Sequence, residues 1–166
     1  MAIIEAIATT YLEADAANVT FSSIPATYEH LQIRGSLRGA SNGTLAIQLN
    51  SDTGSNYSRH QIYGAGSSAS TNLNAGIAFM NIAYVTWTDE SSETYSAHTI
   101  DFLDYANTNK NTSVQSSWGF ANDQVSFNSQ LWDDTSAVST IKLYEAGAGA
   151  NFVRGSEFTL YGIKSS

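Results

Sequence analysis

Cysteine is absent from all 166 residues, which excludes a disulfide scaffold, a thiolate metal site and thiol catalysis. Stability must therefore come from packing or from oligomerisation. Proline occurs once, at Pro25, where it is expected to end a strand or fix a turn after Ile24. Charge is also scarce. Asp, Glu, Lys and Arg together make up 13% of the chain, and seven basic residues against fifteen acidic ones leave a net charge of −8. Such a balance repels phosphate backbones and anionic lipid surfaces, so neither nucleic acid nor membrane is an expected partner. No stretch approaches the roughly 18 consecutive apolar residues of a membrane-spanning helix. The first residues have no basic start and Glu5 interrupts them, so no secretory signal is expected.

What remains is a chain rich in Ser, Thr, Asn, Ala and Gly with an apolar fraction of 42%, enough to fill one core. Residues 1–166 read as one domain, with residues 1–8 either an ordinary first strand or an extended arm. Segments rich in Ile, Val, Thr, Tyr and Phe recur at roughly the 8 to 12 residue spacing of all-β folds. Leu31, Ile33 and Leu37 alternate with Gln32, Arg34 and Ser36, and Leu45, Ile47 and Leu49 alternate with Ala46, Gln48 and Asn50. The closing segment 157–164 alternates too, with a register slip that suggests a bulge at Gly162. Further strands are expected over 4–12, 58–63, 77–86, 94–103, 114–120, 125–131 and 141–145, about ten in all. Residues 39–43, with their Asn-Gly pair, read as a hairpin loop, 64–70 as the longest flexible stretch, and 147–150 as a hairpin tip. A short helical turn is conceivable over 12–17. The expected fold is an all-β, jelly-roll-like β-sandwich, because this many short strands bury their inner faces best as two packed sheets.

Chemistry is hard to find. His30, His60 and His98 sit in or beside strands without the spacing of a helical zinc pair, and structural roles are expected for them. No Gly-x-Ser-x-Gly elbow is present. The carboxylate pairs Asp133 with Asp134, Asp89 with Glu90, and Asp101 with Asp104 suit turns and solvated edges better than a glycosidase acid and base. Asn50, Asp52 and Asn56 place oxygen-bearing side chains at calcium-loop positions, but the later bidentate Glu is missing and a plain turn is the stronger expectation. No cofactor and no catalysis are expected. The nine Tyr, seven Phe and three Trp stand out among so few charges, and Trp87, Trp118 and Trp132 are the candidate partner-binding residues wherever they are exposed.

Several segments carry a likeness. Ile7-Ala8-Thr9-Thr10 followed by Val19-Thr20-Phe21-Ser22-Ser23-Ile24-Pro25-Ala26-Thr27-Tyr28-Glu29-His30-Leu31, then Gly54-Ser55-Asn56-Tyr57-Ser58, Ile100-Asp101 with Tyr105, and Gly155-Ser156-Glu157-Phe158-Thr159-Leu160-Tyr161-Gly162-Ile163 resemble a group of tailed-bacteriophage structural proteins. Its pattern is a short strand, then V-T-F-x-x-I-P-x-x-Y-x-x-L, and the likeness runs through nearly the whole chain. The resemblance implies a virion protein made in the host cytoplasm. Among such proteins it points to a capsid cement or decoration protein, a homotrimer on the outer head shell bound to the major capsid protein. A receptor-binding or carbohydrate-binding module of a tail or fibre is the alternative.

Overall fold

The computed structural model describes residues 3–41, 43–86, 92–120, 124–147 and 151–164. Twelve strands and no helix are found among them: β1 (Ile3–Tyr11), β2 (Asn18–Phe21), β3 (His30–Leu37), β4 (Thr44–Leu49), β5 (Tyr57–Ala65), β6 (Ser68–Ile77), β7 (Met80–Tyr84), β8 (Ser96–Leu103), β9 (Thr112–Phe120), β10 (Gln124–Trp132), β11 (Ile141–Ala146) and β12 (Glu157–Lys164). They form two antiparallel sheets, an eight-stranded one in the order β1-β12-β3-β8-β9-β10-β5-β6 and a four-stranded one in the order β2-β11-β4-β7. The chain is thus the all-β sandwich expected from its strand pattern. No helix of the described residues is long and apolar enough to cross a membrane.

The period-two pattern decides which face is buried. In β3, Leu31, Ile33 and Leu37 point inward; Ile100 and Phe102 of β8, Val114 of β9, and Phe158 and Leu160 of β12 join them. Opposite them, Phe21, Leu45, Ile47, Leu49, Met80, Ile82, Ile141 and Leu143 come from the smaller sheet. Phe152, from the segment between β11 and β12, meets Phe158 edge to face at 4.9 Å. Each such side chain contributes roughly 1.5–3 kcal/mol when fully removed from water.

Several local expectations are corrected. Residues 39–43 do not close a hairpin, because β3 and β4 lie in different sheets; the segment crosses the sandwich, and Gly39 bridges Phe152 while Arg38 bridges Thr86. The hairpin tip expected at 147–150 falls, at 148–150, outside the described residues, and the strands on either side of it, β11 and β12, lie in different sheets. The stretch 64–70, read as a loop, is mostly strand: β5 and β6 form a long hairpin turning at Gly66, whose φ of +56° favours glycine. Residues 77–86 are not one strand, since β6 ends at Ile77 and β7 begins at Met80. No helical turn occurs over 12–17. The register shift in the β1–β12 pair falls between Ala6 and Ala8, while Gly162 pairs regularly with Glu5 and Leu31. Gly162 is needed for another reason: a Cβ there would collide with the Tyr28 ring lying across it. Residues 3–8, offered as a strand or an arm, lie in β1 along the edge of the large sheet.

Candidate binding surfaces

The eight-stranded sheet is wider than the four-stranded sheet that covers it, and β7 at the rim of the small sheet packs over β10 and β5. Here the inner face of the large sheet turns from apolar to polar. Ser116, Gln61, Ser126, Asn128 and Gln130 are buried there, together with Arg59. Their purpose is legible in the hydrogen bonds. As an edge strand, β7 leaves carbonyls unpaired; Asn128 Nδ2 donates to Ile82 O at 2.9 Å and Gln130 Nε2 to Asn81 O at 3.1 Å. Side chains of one sheet thus complete the edge of the other.

Beyond β7 the inner face of β5 and β6 is uncovered. A cleft of about 350 Å³ opens there, floored by Arg59, Gln61 and Tyr63 of β5 with Asn72 and Asn74 of β6. Asn81, Tyr84 and Gln124 close its sides. Register puts the floor together, since Arg59 pairs with Asn74 and Gln61 with Asn72. Arg59 is 6% exposed and donates to Asn81 Oδ1 and Asn74 Oδ1, each at 2.8 Å, while its Nε has no partner. Gln61 Nε2 donates to Ser126 Oγ at 2.8 Å.

The outer face of the same strands is different in kind. Val125, Phe127 and Leu131 of β10, Ile62 of β5 and Leu73 of β6 are 36–68% exposed. Phe127 stands opposite Ile62, and Val125 opposite Gly64. Their outward neighbours Ser58, His60, Thr71, Gln115, Ser117 and Ser129 bring no carboxylate, lysine or arginine. At the end of the sheet, the ten residues of β6 contain no charge and no proline, the two devices that usually guard a free edge.

The candidate tryptophans do not supply this surface. Trp132 is 1% exposed, because it ends β10 on the inward register, and its indole Nε1 donates to Asp52 Oδ2 at 2.7 Å. Trp118 is 4% exposed on the inward face of β9, with His98 stacked on it at 6.1 Å and Tyr84 edge-on at 6.3 Å. Both are corrected from candidate contacts to core residues. Trp87 lies outside the described residues, as do Asp89 and Glu90.

Nor do Asn50, Asp52 and Asn56 converge on an ion. Asp52 accepts from Gly54 N and, through its other oxygen, from Asn56 Nδ2 and Trp132 Nε1. Those bonds, the Trp132 one first, hold its carboxyl below the usual range. Asn50 turns away, its Oδ1 accepting from the amides of Ser139 and Thr140 and its Nδ2 donating to Ala137 O. The loop is a set of side-chain turns with Asn50 and Ser51 at positive φ.

Glu29, His30 and Asp104 are the one group of possible metal ligands within reach of one another among the described residues. Its atoms are already engaged: His30 Nδ1 accepts from the Asp104 amide at 3.0 Å, and Lys110 pairs with the Asp104 carboxylate. Asp101 accepts from Gln32, Asp133 from Asn111, and Asp134 from the Ser136 amide, so these carboxylates serve turns and strand surfaces. His60 stands on the exposed face of β5.

Ser96 Oγ and His98 Nε2 are 2.8 Å apart, as a nucleophile and its base would be. The polarity is reversed, however. Ser96 donates its proton to Leu37 O, so Nε2 carries the hydrogen; His98 Nδ1 has no partner, and burial pushes the ring's pKa down to about 3. Both residues are closed off from solvent. Among the described residues no catalytic grouping with access to a substrate is assembled.

No protein-family model matches the chain, and no curated protein matches it. Several solved structures are similar in backbone, including these two. One is the Caenorhabditis elegans galectin LEC-6, with a TM-score of 0.34 and 10% identity, covering 95% of this chain and 96% of that one. The other is the alginate lyase Aly36B, with a TM-score of 0.36 and 8% identity, covering 95% and 79%. Likeness at this level transfers neither ligand nor activity.

Proposed function

We propose that this chain is a non-catalytic virion structural protein, a capsid cement protein that docks on the major capsid protein of a bacteriophage head as a homotrimer. The observation that carries the reading is the uncharged apolar stripe of Ile62, Leu73, Val125, Phe127 and Leu131 beside the unguarded edge of β6. A monomer that stays alone in solution seldom leaves such a face and such an edge open together. An uncharged stripe selects an apolar, uncharged partner surface, and its binding is insensitive to salt. Extended partner segments add to free edges through main-chain hydrogen bonds, a mode that needs rigidity and no reaction chemistry. Three copies on a symmetric shell multiply weak contacts by avidity. The phage-like motifs supply the identity of the shell.

Cosedimentation with empty heads that lack the protein tests the reading. Saturable binding at a fixed ratio to the shell subunit is expected, retained in high salt and lost in Phe127→Asp without loss of thermal stability. Absence of head binding by the wild-type protein refutes it.

A further inference from the structure

The amide-lined cleft on the opposite face of β5 and β6 is independent of the docking stripe. Its floor presents a cation with no counter-ion: among the described residues no carboxylate pairs with Arg59, in a protein whose net charge is −8. A buried guanidinium held by amide oxygens alone is costly to desolvate, and its Nε is buried beneath the cleft floor with no partner, so the Arg59 charge is left poorly compensated. Asn72 and Gln124 add side-chain amides, each both donor and acceptor, and Tyr63 and Tyr84 add rings with polar tips. The volume sits at the lower end of small-ligand sites.

Neighbouring hydroxyls are met by planar amides that donate and accept side by side, ring C–H faces are met by tyrosine rings, and a carboxylate is met by an uncompensated guanidinium. We propose that the cleft binds a carboxylate-bearing saccharide, with Arg59 holding the acid group and Asn72 and Gln124 the hydroxyls. A neutral sugar would leave the Arg59 charge unpaired, and a simple anion would leave the amides unused. Preference for a sugar acid over its neutral counterpart follows.

The test is a titration of the full chain with oligomers of galacturonic acid and of galactose, followed by tryptophan fluorescence, since Trp118 touches Tyr84 of the cleft wall. The acidic oligomer is expected to saturate and to bind about ten-fold tighter than the neutral one, the difference of one charge-assisted contact. The Asn72 side chain is exposed and makes no hydrogen bond among the described residues, so Asn72→Ala is expected to fold normally and to weaken the acidic sugar about five-fold at an unchanged melting temperature. Arg59→Gln abolishes the preference for acid where it folds. No saturable response to the acidic oligomer up to about 10 mM, equal binding of the neutral one, or unaltered binding by Asn72→Ala overturns the proposal. Head cosedimentation reads the other face, so either result can fail without the other.

Discussion

Glu145 offers the sharpest quantitative check on the structure. It lies on β11 against residues 39–43, is 4% exposed, and is crowded so closely by Gly39 and Gly43 that a Cβ on either would strike its carboxylate. The nearby amides of Ala40 and Gly43 point to the carbonyls of Asn151 and Ser41, so neither carboxylate oxygen gains a well-formed hydrogen bond, and the proximity of those amides and of the Ser41 side chain offsets only part of the cost of burial. Burial therefore pushes its pKa from 4.5 up to about 7. The folded protein keeps the proton to higher pH than the unfolded chain, so this group's contribution is fully present below about pH 4.5 and is lost as pH rises through about 7. The loss amounts to at most about 3 kcal/mol, at 1.36 kcal/mol per pKa unit. Glu145→Gln keeps the shape and removes the titration. Urea unfolding of both proteins between about pH 4.5 and 8 isolates the effect, because other groups, His98 included, cancel in the difference. The variant should gain about 3 kcal/mol on the wild type across that range, or roughly 6–10 °C in melting temperature for a domain of this size. Any pH-independent effect of the new amide shifts the whole difference curve without changing its slope. A difference that stays flat with pH refutes the buried carboxylic acid.

Trp132→Phe removes the indole bond to Asp52 and leaves space in the core, and should cost about 2–4 kcal/mol at neutral pH by denaturant unfolding. Because that bond lowers the Asp52 pKa, part of the deficit should vanish as pH falls below about 4; an unchanged deficit at low pH contradicts the assigned partner. Millimolar calcium or a chelator should leave the melting temperature unchanged, since the oxygens of the 50–56 loop are spent on hydrogen bonds, and a shift of more than about 2 °C would reinstate an ion there. Gly162→Ala should destabilise by about 1–3 kcal/mol in calorimetry, because Tyr28 is also tied to Glu5 and lies under Lys164 and cannot move freely; a neutral result contradicts that packing.

The sequence by itself determined the all-β class and most strand positions, because inward and outward residues alternate with period two along each strand. It also determined that Asp52 belongs to a turn, since Asn, Asp and Gly at that spacing bond their own backbone. Only the tertiary structure decided which strands share a sheet. Residues 39–43 and 147–150 have hairpin composition, yet the strands that flank each, β3 and β4 or β11 and β12, lie in different sheets, and composition sets the local bend without setting the partner. Strand β6 was hidden because Ser, Ala, Asn and Gly carry little β-propensity; pairing with β5 overrides it. The same pairing made both candidate surfaces. Asn72 and Asn74 become cleft residues and Leu73 a stripe residue by register alone, and Arg59 becomes an uncompensated cation because no acidic strand lies beside it among the described residues. Trp118 and Trp132 look alike in sequence to any exposed tryptophan, and the inward phase of β9 and β10, set by long-range pairing, put both in the core.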